Sequence, residues 1–311
     1  MIDSRLDPQI QVILQEAEAS GDPPLESLSP AAARLAAIEG LAPWRGEPEP
    51  VARVENRVID GGVPVRIYTP EGVAPRPALI YFHGGGWVVC DLDTHDVVCR
   101  AIARRSGAVV IAVDYRLAPE HKFPAAVDDC YLATRWVAGH TEELGIDPAR
   151  IAVGGDSAGG NLAAVIALRS RDEPGLPIAL QVMVYPVTDL SSFDTPSYKE
   201  FADGYFLTTS EMVWFRDHYL ARPEDARSIQ ASPLLAKDLR GLPPALVITA
   251  EFDPLRDEGE AYAGRLEEAG VRVQCTRYRG MVHPFFSLVG GVKQALEAID
   301  EVSAAVAACG R

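Results

Sequence analysis

Five short runs of this chain are apolar without alternation, and no other feature restricts its fold as much. They are "PALIYFHG" near 77–84, "AVVIAVDYR" near 108–116, "IAVGGDS" near 151–157, "LQVMVYP" near 180–186 and "ALVITAEFD" near 245–253. A strand that is apolar on both faces must be covered on both faces, as in a parallel sheet between layers of helices. Stretches such as "AAVDDCYLATRWVAG" near 125–139 and "GEAYAGRLEEAG" near 259–270 read as those helices. Strand–helix alternation brings right-handed crossovers, so the expected fold is α/β, a mostly parallel central sheet flanked by helices. Ahead of the array, "ARVENRVI" and "VPVRIYTP" flank "DGG", a hairpin signal that predicts an antiparallel edge.

Two segments interrupt this alternation. Residues 1–45 read as helices ahead of the proline-spaced "APWRGEPEP", and residues 188–230 contain the aromatic-rich "SYKEFADGYFLTTSEMVWFRDHYL". An insertion after a central strand can fold over the strand ends as a lid, and an ordinary surface subdomain is the competing assignment. The expected division is N-terminal cap helices at 1–45, core at 46–187, cap insertion at 188–230 and core again at 231–311. At 311 residues and 48% hydrophobic content, the chain suits one large α/β domain.

Charge excludes some partners. The 29 basic and 44 acidic residues leave a net charge of −15, which argues against nucleic acid and anionic membrane. No run is long and apolar enough to span a bilayer, and "MIDSRLDPQIQ" is no signal peptide. The cysteines Cys90, Cys99, Cys130, Cys275 and Cys309 are odd in number and lack C-x-x-C spacing. Free thiols in a reducing cytoplasm are the expectation.

The chemistry concentrates around "VGGDSAGGN", residues 153–161, where Ser157 sits among residues too small to shield it. A strand precedes this serine and the helix-forming "NLAAVIALRSR" follows, the context of a nucleophile elbow. Small neighbours permit the sharp turn, and the helix start favours negative charge beside the serine. A phosphate loop is excluded because Asn161, not lysine, follows Gly160.

A second glycine cluster, "HGGGW" at 83–87, ends another strand. Three glycines in a row cost conformational entropy and pack nothing, so the backbone there must approach something closely. Beside a nucleophilic serine that something is an oxyanion. The N–H groups of Gly84, Gly85, Gly86 and Ala158 are the candidate donors, with Gly85 and Gly86 favoured over Gly84. Removing one such donor costs roughly 3 kcal/mol. His83 belongs to the glycine turn and reads as a brace rather than a base.

A serine also needs a base, and the base needs an orienting carboxylate. His283, in the loop "YRGMVHPFF", is preferred over His140 and His218 on helical stretches and over His95 and His121 in other loops. Asp253 directly follows the strand "ALVIT", whereas Asp257 reads as a helix cap. The order Ser157, Asp253, His283 is that of the α/β-hydrolases.

With these residues in place the sequence resembles the bacterial hormone-sensitive-lipase-like esterases and lipases of the α/β-hydrolase fold. "HGGGW", "DYRLAPEHKFPAA", "GDSAGGN", "DPLRDEG" and "GMVHPF" match that family's pattern in order, over nearly the whole chain. The resemblance implies hydrolysis of carboxylic esters with short to medium acyl chains, without metal or organic cofactor, and a homodimer as a common state. It also implies a helical cap made of the N-terminal helices and the "YFLT" insertion. An amidase or lactonase on the same fold, and a non-catalytic small-molecule receptor, are the rival functions; a true lipase is disfavoured by the modest lid and acidic surface.

The remaining motifs have plainer assignments. Trp87, Phe206, Trp214 and Phe215 are candidates for the acyl or alcohol pocket, with core packing the alternative for each. "DYRLAPEHKFPAA" reads as a structural turn in which Glu120 braces the glycine loop. "DLDTHD", with Asp91, Asp93, His95 and Asp96, reads as a solvated loop and helix cap rather than a metal site.

Overall fold

The computed structural model describes residues 3–173 and 175–310. Its strands are β1 (Arg53–Val58), β2 (Pro64–Thr69), β3 (Arg76–Phe82), β4 (Val109–Val113), β5 (Ile146–Asp156), β6 (Leu180–Val184), β7 (Ala245–Phe252) and β8 (Val273–Val282). The helices are α1 (Pro8–Ser20), α2 (Pro30–Leu41), α3 (Asp96–Ser106), α4 (Ala125–Gly139) and α5 (Thr141–Leu144). They continue with α6 (Ala158–Arg171), α7 (Pro196–Glu200), α8 (Thr209–Tyr219), α9 (Arg256–Glu268) and α10 (Lys293–Ala308).

One eight-stranded sheet runs in the order β1-β2-β4-β3-β5-β6-β7-β8. The hairpin β1–β2 and the pair β2–β4 are antiparallel, as "DGG" predicts at one edge, and every later pair is parallel. This is the α/β-hydrolase fold. All five doubly apolar runs are strands, and the reason is visible along β3. Ala78, Ile80 and Phe82 enter the core built with α4, α6 and α9, while Leu79 and Tyr81 enter the opposite core with α3 and α10. Each face of the strand has its own helical cover, so neither face can be polar.

Strand β8 carries no such signal. As an edge strand it is half exposed over most of its length and buried only at Gly280–Val282. Its polar residues "VQCTRYR" reflect that position.

Connectivity places the site. From β3 the chain passes through α3 to β4 on one side, then through α4 to β5 on the other side of β3. The crevice outside the carboxyl ends of β3 and β5 is therefore the switch point of the sheet, where α/β folds bind ligands.

The two interrupting segments lie against this region. In the first, Ser29 caps α2 by accepting from the Ala32 N–H, and Pro30 starts the helix. Arg34 of α2 donates to the carbonyls of Val88 (2.8 Å) and Ala118 (2.9 Å) and pairs with Glu120. Glu120 thus acts on the glycine loop through Arg34. In the second, α8 opens on a reciprocal cap between Thr208 and Glu211. Lys122 closes its other end by donating to the carbonyls of Asp217, His218 and Leu220.

Asn161 donates to the carbonyls of Val187 and Ala231, both at 2.9 Å. These residues flank 188–230, so the helix behind Ser157 holds both ends of the insertion.

Candidate active site

Ser157 stands between β5 and α6 with φ 54° and ψ −118°, a conformation that a residue with a Cβ adopts only under constraint. The constraint is local. The Ser157 N–H donates to the Val184 carbonyl at 2.8 Å, and α6 starts at the next residue. A side chain at Gly159 would run into the Phe82 carbonyl, so the tight approach of α6 to β3 requires the small residue there.

His283 follows the last residue of β8, and Asp253 follows the last residue of β7. Strand pairing therefore brings together three residues far apart in sequence. His283 Nε2 lies 3.0 Å from Ser157 Oγ, and His283 Nδ1 lies 2.8 Å from Asp253 Oδ2. Asp253 is fully buried, and its other oxygen accepts from the Leu255 N–H at 2.9 Å. With Nδ1–H given to Asp253, Nε2 is the nitrogen left to take a proton from the serine. The Tyr185 ring packs on the imidazole at 4.3 Å between centroids, and an isolated bridge joins Phe206 to His283.

The competing histidines are occupied elsewhere. His140 and His218 each bond through Nδ1 to a carbonyl one turn back, of Trp136 and Trp214 respectively, both at 2.8 Å. His83 stacks on Tyr115, and burial followed by the neighbouring His95 pushes its pKa down to about 4. It is a brace of the glycine turn.

Among the described residues, the N–H groups of Gly85, Gly86 and Ala158 have no hydrogen-bond acceptor, whereas that of Gly84 donates to Asp156 Oδ1 at 3.1 Å. Gly86 has φ 56°, and a Cβ there would enter the ring of Phe215. The turn thus carries bare backbone donors at Gly85 and Gly86, with Phe215 packed on Gly86.

The four aromatic candidates separate. Phe215 lies on Gly86, Phe206 pairs with His283, and Trp214 is half buried with its ring edge-on to Phe215 at 5.2 Å. Trp87 is wholly buried and stacked on Tyr219 at 4.2 Å, which is the packing assignment.

"DLDTHD" is not a solvated loop throughout. Asp91 and Asp93 keep solvent contact, but Thr94 and His95 are buried beneath the glycine turn, where His95 meets Asp156. Sequence reasoning also passed over Glu211 of α8, whose carboxyl is pushed up to about 7, chiefly by burial and also by Glu26. Only the S/T-x-x-E spacing of "TTSE" pointed to it.

A strand-to-helix serine with an Asp-oriented histidine defines a serine hydrolase on an α/β sheet. A profile of the family described as alpha/beta hydrolase fold matches residues 79–287. Carboxylic ester hydrolase LipN of Mycobacterium tuberculosis is 46% identical over 73% of this chain, a match that spans 62% of LipN. The ethyl acetate hydrolase of Pseudomonas putida is 40% identical over 94% of this chain and 96% of its own. A solved thermostable esterase from Pseudomonas putida superposes with a TM-score of 0.94 at 41% identity, covering 100% of this chain and 99% of the other. The chain belongs to the alpha/beta hydrolase family, in its hormone-sensitive-lipase-like branch, and is a carboxylesterase.

Proposed function

We propose that Ser157 is the nucleophile, His283 the general base and Asp253 its orienting carboxylate in the hydrolysis of carboxylic esters with short to medium acyl chains. The reading rests above all on His283 meeting Ser157 with one ring nitrogen and Asp253 with the other. His283 takes the serine proton as Oγ attacks the ester carbonyl, and the Gly85, Gly86 and Ala158 N–H groups receive the oxyanion. His283 then protonates the departing alcohol. Water, deprotonated by the same imidazole, hydrolyses the acyl-enzyme. Every step uses groups of the chain itself. The likeness to an ethyl acetate hydrolase supports the small-ester range.

In this reading 1–45 and 188–230 form the cap, and Phe206, Trp214 and Phe215 bound the substrate cavity while Trp87 supports it through Tyr219. The free thiols of Cys90, Cys99, Cys130 and Cys275 support a reducing, cytoplasmic setting. Among the described residues no helix is long and apolar enough to cross a membrane. Homodimerisation belongs to the reading through the resemblance alone, and sedimentation velocity decides it. Matched p-nitrophenyl esters from acetate to palmitate, with the corresponding anilides, test the substrate class. Rates highest on short esters and far lower on anilides support it; preference for anilides or long chains contradicts it.

A further inference from the structure

Asp156, the residue before Ser157, is buried at the base of the elbow, and among the described residues no lysine or arginine pairs with it. Three groups hold its carboxylate. The Tyr81 hydroxyl donates to Oδ1 at 2.6 Å, the Gly84 N–H donates to the same oxygen at 3.1 Å, and His95 Nε2 lies 3.2 Å from it. His95 Nε2 is also 3.3 Å from Oδ2. Burial acts to raise the pKa of Asp156, but His95 and Tyr81 together hold it below the ordinary carboxylate value.

The Thr94 hydroxyl has one proton, which goes to the Asp91 carbonyl at 2.7 Å, while its oxygen accepts from the Asp91 N–H at 2.9 Å. His95 Nδ1 lies 3.0 Å from that oxygen. Nε2 faces a carboxylate, which only accepts. The Gly84 N–H also lies 3.4 Å from Nε2, so the carboxylate and the glycine turn meet at this one ring nitrogen. The groups facing His95 are Asp156 from the end of β5, Tyr81 from β3, His83 and the Gly84 N–H just after that strand, and Thr94 from its own loop. His83, its pKa pushed down to about 4 mainly by burial, is neutral near pH 7.

We propose that His95 is a positioning residue for ester hydrolysis: it holds the Asp156 carboxylate against the Gly84 N–H and so fixes the glycine turn that presents Gly85 and Gly86 to the oxyanion. The inference rests on the oxyanion-hole reading above and extends it to a residue that touches no substrate. A turn of consecutive glycines has little stiffness of its own, and oxyanion donors act only within a few tenths of an ångström of their place. The anchor at Gly84 supplies that stiffness, and a buried carboxylate needs its donors to remain a fixed anchor.

The test compares His95→Leu with His95→Gln, whose amide donates from near the position of Nε2. With a short p-nitrophenyl ester, His95→Leu lowers kcat about 30-fold, less than the roughly 10²–10³-fold of a lost donor, and leaves KM nearly unchanged. Affinity for a trifluoromethyl ketone, which forms an oxyanion adduct on the serine, falls in proportion, and His95→Gln recovers most of both losses. Unchanged kcat and ketone affinity in a folded His95→Leu protein overturn the proposal, as does a His95→Gln protein equally impaired. Should His95→Leu not fold, ¹⁵N NMR of the wild-type imidazoles decides, with His95→Gln giving the assignment. A protonated Nε2 supports the proposal, and a pyridine-type Nε2 overturns it. Fluorophosphonate labelling separates the levels: a wild type that resists it refutes the Ser157 reading itself, while a labelled protein with an indifferent His95 refutes only this inference.

Discussion

At the scale of single residues, the proposed mechanism rests on three side chains and three bare N–H donors. Ser157→Ala removes one hydroxyl at a turn the backbone already enforces, so the fold persists while kcat falls about 10⁵-fold or more. Steady-state kinetics on a thermally intact variant check this. Asp253→Asn keeps the shape but presents the wrong hydrogen-bond partner to His283 Nδ1, and kcat should drop about 10⁴-fold. Gly86→Ala tests the glycine turn. Its Cβ meets Phe215 at a backbone φ of 56°, so the turn or α8 must give way. A kcat loss of about 10²-fold at similar KM is expected; a wild-type kcat would remove Gly86 from the oxyanion hole.

At the scale of elements, buried acids report how the insertion is attached. Glu258 of α9 accepts from the N–H groups of Thr188 and Asp189, the start of the insertion. Burial pushes its carboxyl from 4.5 up to about 8, against the effect of those N–H groups. Between these values the unfolded chain ionises while the folded chain stays protonated, so this group's contribution to stability declines as pH rises from about 4.5 to about 8 and then levels off. Glu258→Gln keeps an accepting oxygen and removes the titration. The melting temperature of the variant minus that of the wild type should therefore grow more positive from pH 5 to pH 9, measured by calorimetry. A difference independent of pH contradicts the assignment.

Legibility in the sequence follows the same scale. The doubly buried strands and the hairpin were readable because burial on two faces and a tight turn each dictate residue types locally. The edge strand β8 was not, because solvent on one side admits the arginines and threonine of its sequence. Ser157 and the glycine turn announced themselves through backbone geometry, which only small residues satisfy. His95 did not. "DLDTHD" looks hydrophilic, and only the return of the loop beneath β3 buries its histidine against Asp156. Nor could the sequence separate Trp87 from Phe215, since an aromatic ring suits a core and a cavity wall equally.

At the scale of the whole molecule, the proposed cap of 1–45 and 188–230 would decide which esters reach Ser157. Ser157 is 8% exposed and His283 6%, so little of either is open to solvent. A bounded cavity gains roughly 0.8 kcal/mol per buried methylene until it is full, after which further length clashes. Rates should climb from acetate, peak at a short or medium chain and fall. Phe206→Ala and Trp214→Ala should move the peak to longer chains with little effect on acetate. Each is checked by kcat/KM across the p-nitrophenyl series, with melting curves because losing a buried aromatic costs about 3–5 kcal/mol. Folded variants that keep the wild-type profile would leave 188–230 as a surface subdomain.

In the proposed mechanism Ser157 carries the acyl group between alcohol release and hydrolysis, and rapid-quench mass spectrometry reads it directly. Wild-type protein mixed with a p-nitrophenyl ester and quenched in acid should gain the mass of one acyl group, located by peptide mapping on Ser157. His283→Ala and Ser157→Ala should gain none. An acyl group on another residue, or full ester hydrolysis by Ser157→Ala, would contradict the account.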